Sequence, residues 1–304
     1  MDTLKNCPAP AKLNLFLHVT GRRADGYHLL QTAFQLIDRA DTLDFTLRED
    51  DAIRRVTAVP GVPEEGDLII RAARLLQQEV LRRTGALPPG VDIAIHKLLP
   101  MGGGLGGGSS DAATTLMALN ALWKAGLSKD ELMALGLPLG ADIPFFIFGA
   151  TAFAEGVGEA LQPVAVPDAW YVVIEPGVQV PTASIFTSDH LTRNTPAVIM
   201  ADFSGHYAEQ GSTLRQFGKN DLQQVATRLF PPVAQAVEWL GAYGDARMTG
   251  SGACVFCAFH SEEQADAVLE SFNAQALSAT VPSTWKGWKA KALQEHPLGV
   301  VIPL

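Results

Sequence analysis

Between Gly102 and Gly108, six of seven residues are glycine, in the run Leu99-Pro100-Met101-Gly102-Gly103-Gly104-Leu105-Gly106-Gly107-Gly108-Ser109-Ser110-Asp111. Glycine has no Cβ, so the backbone can approach a ligand closely and adopt φ > 0. A helical pattern from about Ser109 to Trp123 follows at once. Free N–H groups at that helix start, aided by the helix dipole, form an anion site. The hydroxyls of Ser109 and Ser110 stand where they reach a phosphate. Together these features suit a nucleoside triphosphate. A plain connector is the alternative, but it has no use for six residues that each lose much conformational entropy on folding. Gly102, Gly104 and Gly107 also match G-x-G-x-x-G, yet no strand leads directly into them, as a dinucleotide fingerprint requires. No Gly-Lys-Ser/Thr is present, so the P-loop pattern fails, and the protein-kinase H-R-D and D-F-G signatures are absent.

The rest of the composition bounds the class. Lys and Arg number 23 against 32 Asp and Glu, a net charge of −9 in 304 residues. An acidic chain lacks the basic footprint of a nucleic-acid binder. With 47% hydrophobic and 18% charged residues it reads as folded, and its length suits two domains or one large one. Three cysteines make no disulfide framework, which points to a reducing compartment. The N-terminus lacks a signal-peptide core, and the charge-free stretch Ile143–Ala154, broken by Pro144 and Gly149, is shorter than the ~20 residues a membrane span needs. The expectation is a soluble cytoplasmic protein with no nucleic-acid or membrane partner. Oligomeric state leaves no mark in the sequence.

Local patterns mix strands and helices irregularly, which favours an α+β fold over a βαβ repeat. Leu13, Leu15, Leu17 and Val19 alternate with Lys12, Asn14, Phe16 and His18, the period of a half-buried strand, so Lys12 and Asn14 share a face. Strands are also expected over 38–48, 91–95, 151–154, 170–174 and 253–259. Asp67 caps a helix to about Arg83. Ser128 with Glu131, and Ser261 with Gln264, are capping-box patterns opening two more helices. Helices are expected over 221–229 and 233–240. Gly156, Gly158, Pro163 and Pro167 cluster between two such regions, which divides the chain into 1–160 and 161–304.

Four blocks carry a resemblance. The glycine run from Pro100 to Ser110 resembles the phosphate loop of the galactokinase, homoserine kinase, mevalonate kinase and phosphomevalonate kinase superfamily. Pro8-Ala9-Pro10-Ala11-Lys12-Leu13-Asn14-Leu15-Phe16-Leu17 with Gly21 to His28, and Leu139-Gly140-Ala141-Asp142-Ile143-Pro144-Phe145-Phe146, resemble its 4-diphosphocytidyl-2-C-methyl-D-erythritol kinase family. Met248-Thr249-Gly250-Ser251-Gly252-Ala253 resembles the superfamily's third glycine-rich motif. The blocks occur in the expected order over nearly the whole chain. The resemblance implies a two-domain small-molecule kinase fold with mixed sheets and a cleft between the domains. It implies ATP with Mg²⁺, and phosphorylation of the 2-hydroxyl of a cytidine diphosphate-linked methylerythritol in non-mevalonate isoprenoid precursor synthesis.

The same resemblance assigns roles. Asp142 is the general base toward the substrate hydroxyl and Lys12 its partner. The pairing is physically sound, since an ammonium favours the ionised carboxylate and stabilises a developing alkoxide. Tyr27 and Phe186 stack on the cytosine, His28 reads its edge, and Asn14 and Thr182 offer further polar contacts. Residues 100–110 hold the ATP phosphates, and Lys97 faces the adenine side or a phosphate. Asp67 stands where the family often carries Asn, which exchanges an amide for an acceptor-only carboxylate.

Three rivals remain: a sister kinase acting on mevalonate or homoserine, a catalytically silent nucleotide-binding module, and a dinucleotide oxidoreductase. Cys254-x-x-Cys257 suggests a metal or redox pair, but on a strand residues three apart face opposite ways. Trp285 to Lys291 reads as a partly buried strand with a solvated face, and His190, His206 and His260 have no metal-ligand spacing.

Overall fold

The computed structural model describes residues 2–208 and 217–302. It is framed by β1 (Thr3–Arg22) and β2 (His28–Leu47), two 20-residue strands paired antiparallel through a short polar turn. The alternation over 38–48 is therefore the second half of one long strand. Register shifts near Pro10, Asn14 and Val19 bend the ribbon, so that successive parts of β1 serve different cores. Cys7 and Ala9 enter one core, Leu13, Leu15 and Phe16 a second, and Leu17 and Val19 a third. This corrects the half-buried reading of residues 12–19. Both faces are covered, and Phe16 and His18 are as inaccessible as their apolar neighbours.

The remaining strands are β3 (Ile53–Arg55), β4 (Val91–His96), β5 (Ala152–Glu155), β6 (Ala160–Pro163), β7 (Trp170–Glu175), β8 (Arg247–Met248), β9 (Val255–Phe259) and β10 (Lys286–Leu293). They follow the order β3-β4-β2-β10-β7-β9-β8, with β1 and the β5–β6 hairpin also on β2. The sheet is mixed, since β3 and β4 are parallel and the other named pairs antiparallel. The two halves join where Ile37 and Leu36 of β2 meet Ala292 and Leu293 of β10.

Helices α1 (Leu68–Thr84), α2 (Gly107–Leu122), α3 (Lys129–Gly136) and α4 (Ile143–Phe148) belong to the first half. Asp67 caps α1 by accepting from the Ile69 N–H, and Ser128 and Glu131 form the expected capping box on α3. Ile70, Leu76, Leu116 and Leu119 close a core against Phe45 and Ile93 of the sheet. α2 begins at Gly107, not Ser109, and a short helix, α4, follows Asp142. Pro144 fits its first turn, where a missing N–H leaves nothing unsatisfied.

The second half adds α5 (Thr182–Phe186), α6 (Met200–Ala208), α7 (Gln223–Leu229), α8 (Pro231–Gly241) and α9 (Glu262–Leu277). Val225, Val233, Leu240, Phe272 and Cys257 share one core, while Cys254 lies in another on the opposite side of the sheet. The Cys-x-x-Cys spacing is thus two separate buried thiols. α7 starts at Gln223 because Asp221 is used elsewhere: its carboxylate accepts from the Val19 N–H at 2.8 Å and the Thr195 hydroxyl at 2.7 Å. Trp288, Ala290 and Ala292 bury one face of β10, as expected of a strand with one covered face, while Trp285, just before the strand, enters the core on the other side of the sheet. Among the described residues, no helix is long and apolar enough to cross a membrane.

Candidate active site

One cleft of about 1370 Å³ collects most of the expected site. Lys12, Asn14, Tyr27, His28, Lys97, Asp142, Thr182, Phe186 and Ser251 line it, together with residues 100–109, Gly250 and Gly252. Ser110 and Thr249 lie behind the wall. The Ser110 hydroxyl is buried without a hydrogen-bond partner. The Thr249 hydroxyl accepts from the Asn14 N–H at 3.0 Å and donates to the Gly104 carbonyl at 3.3 Å.

The glycine loop is held by backbone. Its carbonyls at Gly102 and Gly103 accept from Ala253 and Cys254, and the Leu105 carbonyl accepts from Lys12 N–H at 3.0 Å. Gly104 has φ +75°, and a Cβ there would collide with the Thr249 carbonyl oxygen, so the first and third motifs touch main chain to main chain. Gly106 caps α2 at φ +74°, and a Cβ on it would stand 2.8 Å from the Phe146 ring and 3.2 Å from the Lys12 side chain. Glycine is therefore required here by close approach as well as by dihedral angle.

Lys12 sits directly behind that loop, 3% exposed. Its Nζ donates to Asn14 Oδ1 at 2.5 Å and to the Gly104 carbonyl at 2.9 Å, and lies 3.8 Å from Asp142 Oδ2. The Phe34 ring lies beneath it, 5.5 Å from Nζ to centroid. Burial lowers the Lys12 pKa, and the Asp142 charge works against that fall. Asn14 completes the seat by donating Nδ2–H to the Thr32 hydroxyl at 2.9 Å, so both ends of its amide are engaged by protein.

Beside the loop, Lys97 is clamped between two carboxylates, Asp41 at 2.5 Å and Asp111 at 2.7 Å. Asp41 also accepts from the N–H groups of Leu98 at 2.5 Å and Leu99 at 2.8 Å, which fixes the chain entering the glycine run. Burial opposes the Lys97 charge, but Asp111 and Asp41 together raise its pKa. Burial pushes the Asp111 carboxyl up to about 7, against the pull of Lys97. On the facing wall Asp67 pairs with Arg55 while capping α1.

At the far end Tyr27 is 66% exposed on the rim. The His28 and Phe186 rings stack with centroids 4.9 Å apart and planes at 32°. Thr182 and Ser251 share a 2.8 Å hydroxyl hydrogen bond that links α5 to the third motif. Arg193, which sequence reasoning missed, donates from Nε to His28 Nε2 at 3.2 Å. Its partner lies 165 positions away in a segment with no periodic pattern, so nothing local marks it. The pairing of Lys97 with Asp41 and Asp111 escaped for the same reason.

The family models described as the GHMP kinases N terminal domain and the GHMP kinases C terminal domain match residues 67–150 and 199–277. A 4-diphosphocytidyl-2-C-methyl-D-erythritol kinase of Janthinobacterium sp. (strain Marseille) is 65% identical over 296 residues, 97% of each chain. The like-named protein of Herminiimonas arsenicoxydans is 63% identical with the same coverage. A crystal structure of 4-(cytidine 5'-diphospho)-2C-methyl-D-erythritol kinase superposes with TM-score 0.76 at 35% identity, covering 94% of this chain and 98% of that one. Homoserine kinase from Cytophaga hutchinsonii, with TM-score 0.72 at 16% identity over 97% of this chain and 96% of its own, shares the fold.

Proposed function

The chain belongs to the 4-diphosphocytidyl-2-C-methyl-D-erythritol kinases, within the GHMP kinases, and from that premise we propose how its cleft carries out the reaction. The enzyme uses ATP to phosphorylate 4-diphosphocytidyl-2-C-methyl-D-erythritol at the 2-hydroxyl, in isoprenoid precursor synthesis by the non-mevalonate route. Residues 1–160 carry the phosphate loop and the catalytic pair, and residues 161–304 complete the substrate site.

The observation that carries the mechanism is the position of Lys12. One ammonium touches the phosphate loop through Gly104 and faces Asp142 at 3.8 Å. Asp142 takes the proton of the substrate hydroxyl as it attacks the γ-phosphoryl group, and Lys12 stabilises the alkoxide that develops. Phosphoryl transfer needs little else from the protein beyond positioning and charge stabilisation. N–H groups of the glycine loop and the start of α2 hold the phosphates. Lys97, Pro100 and Met101 border the nucleoside. Among the described residues no cluster of three or more His, Cys, Asp or Glu side chains could hold a metal unaided. Mg²⁺ would enter with the nucleotide and, when bound, would offset phosphate charge.

The base end recognises the cytidine. Tyr27 and Phe186 supply stacking faces, worth about 1–3 kcal/mol per base. His28 reads the ring edge, and Thr182 with Ser251 borders the path between base and phosphates. The whole chain is acidic, yet cleft-lining cations are few: Lys12, Arg22, Lys97 and Arg193. Lys97 is already paired with Asp41 and Asp111, so anion binding is local, through backbone N–H groups and the remaining cations, and does not depend on a general positive field. The test is an ATP- and Mg²⁺-dependent assay, with ADP as readout, on the cytidine diphosphate-linked alcohol alongside mevalonate and homoserine. Turnover confined to the first substrate is expected. Turnover on either of the others, or ATP binding with no turnover at all, overturns the reading.

A further inference from the structure

Arg193 makes four hydrogen bonds, and three of them go to main chain. Nη2 donates to the carbonyls of Phe186 at 3.0 Å and Ser188 at 2.8 Å, and Nη1 to that of Leu191 at 3.2 Å. These three acceptors lie at the end of α5 and in the turn that follows it. The fourth bond, from Nε, reaches across the cleft end to Nε2 of His28, the first residue of β2. The guanidinium therefore ties the Phe186 turn to the histidine that stacks on it.

The chemistry of the fourth bond is one-sided. Arginine has donors only and stays charged, so His28 Nε2 must offer a lone pair. A neutral imidazole that accepts at Nε2 carries its proton at Nδ1. Protonation of the ring would place an N–H against an N–H and a second cation against the guanidinium. Burial, then the charges of Arg193 and Arg22, lower the His28 pKa in the same sense. His28 thus presents a hydrogen-bond donor at Nδ1. A pyrimidine whose ring nitrogen N3 has a free lone pair, as in cytosine, matches that donor. Uracil carries a hydrogen on N3 and does not.

We propose that Arg193 is a specificity-determining positioning residue, which holds His28 as the Nδ1–H tautomer against Phe186 and so makes the subsite select cytosine over uracil. The proposal rests on the reading of His28 as the residue that meets the base edge. An unmatched donor facing the ring edge is expected to cost the wrong base about 5- to 150-fold in affinity.

The experiment pairs nitrogen NMR of the His28 ring with inhibition by cytidine and uridine diphosphates. Wild type is expected to show an Nδ1–H, Nε2-bare ring and to bind cytidine diphosphate at least about fivefold tighter than uridine diphosphate. Arg193→Met, which keeps an apolar stem and removes the donors, should let the Nε2–H tautomer appear. It should also narrow the inhibitor ratio severalfold and raise KM for the cytidine substrate while KM for ATP stays unchanged. Arg193→Lys, with the charge retained but the fork lost, should fall between the two. A wild-type ring protonated at Nε2 overturns the proposal without any variant. A tautomer that switches while the inhibitor ratio holds overturns the specificity role, even though the bond is real. If His28→Ala leaves cytidine diphosphate affinity untouched, the underlying reading of His28 fails separately.

Discussion

Replacing Asp142 with Asn is the sharpest perturbation of the mechanism, because it removes the base and one charge while preserving shape. Loss of a positioned general base lowers kcat by about 10²–10⁴-fold, which is about 2.7–5.4 kcal/mol at 1.36 kcal/mol per decade. A second effect follows from the 3.8 Å distance to Lys12 Nζ. At that separation two unit charges interact by about 1 kcal/mol in water and about 4 kcal/mol at an effective dielectric of 20. Lys12 is buried and Asp142 is 35% exposed, so the pair lies between those limits. Without the carboxylate, only the hydrogen bonds to Asn14 and Gly104 oppose the effect of burial on the Lys12 ammonium, and its already lowered pKa falls further. The alkaline limb of the kcat–pH profile, where Lys12 deprotonates, should therefore move to lower pH. ATP binding depends on loop N–H groups that do not touch Asp142, so KM for ATP should change less than about threefold. Steady-state kinetics from pH 6 to 10 with ADP detection measures all three quantities. A variant that keeps kcat within tenfold of wild type refutes the base assignment, and an unmoved alkaline limb refutes the coupling to Lys12.

Other outcomes follow from the same geometry. Gly104→Ala must force a side chain into a left-handed backbone and against the Thr249 carbonyl. The expected loss is about 2–5 kcal/mol of stability, read by denaturant unfolding, and an unchanged midpoint contradicts the backbone contact. Asp111 has a carboxyl pKa raised to about 7 by burial, above its unfolded value. The native state then holds a proton that the unfolded chain has lost, so stability falls as pH rises from about 4 to 7. Asp111→Asn should flatten that fall in thermal unfolding, and an identical slope in both proteins disproves the assignment. Burial pushes the Cys7 thiol up to about 11 and the Cys257 thiol up to about 12, and Cys254 is fully buried. Native protein should therefore resist iodoacetamide at pH 8, with mass spectrometry showing three alkylated thiols only after unfolding.

Local chemistry was legible without coordinates. The glycine run, the Asp67 and Ser128 caps, the period-two strand through Lys12 and the opposed faces of Cys254 and Cys257 all depend on neighbours a few residues away. Such features follow from backbone dihedral angles and side-chain periodicity, which any short segment carries with it. The tertiary structure decided whatever depends on distant partners. β1 alternates like a strand with one wet face, yet bulges and two further cores cover both sides. The stretch after Asp142 is apolar enough for a strand, yet it closes as a helix against Leu116 and Phe34. Lys97 is a strand-end lysine in sequence and a clamp between Asp41 and Asp111 in space. Arg193 has no signature at all until folding brings His28 to its Nε. Hydrogen bonds and ion pairs across such separations exist only once the intervening chain is packed. The sequence by itself therefore specified the glycine loop ahead of a helix, and its resemblance to a family singled out Lys12 and Asp142 as the candidate pair. Only the packed sheet put Lys12 within reach of both Gly104 and Asp142, because three segments remote in the chain must converge on one ammonium.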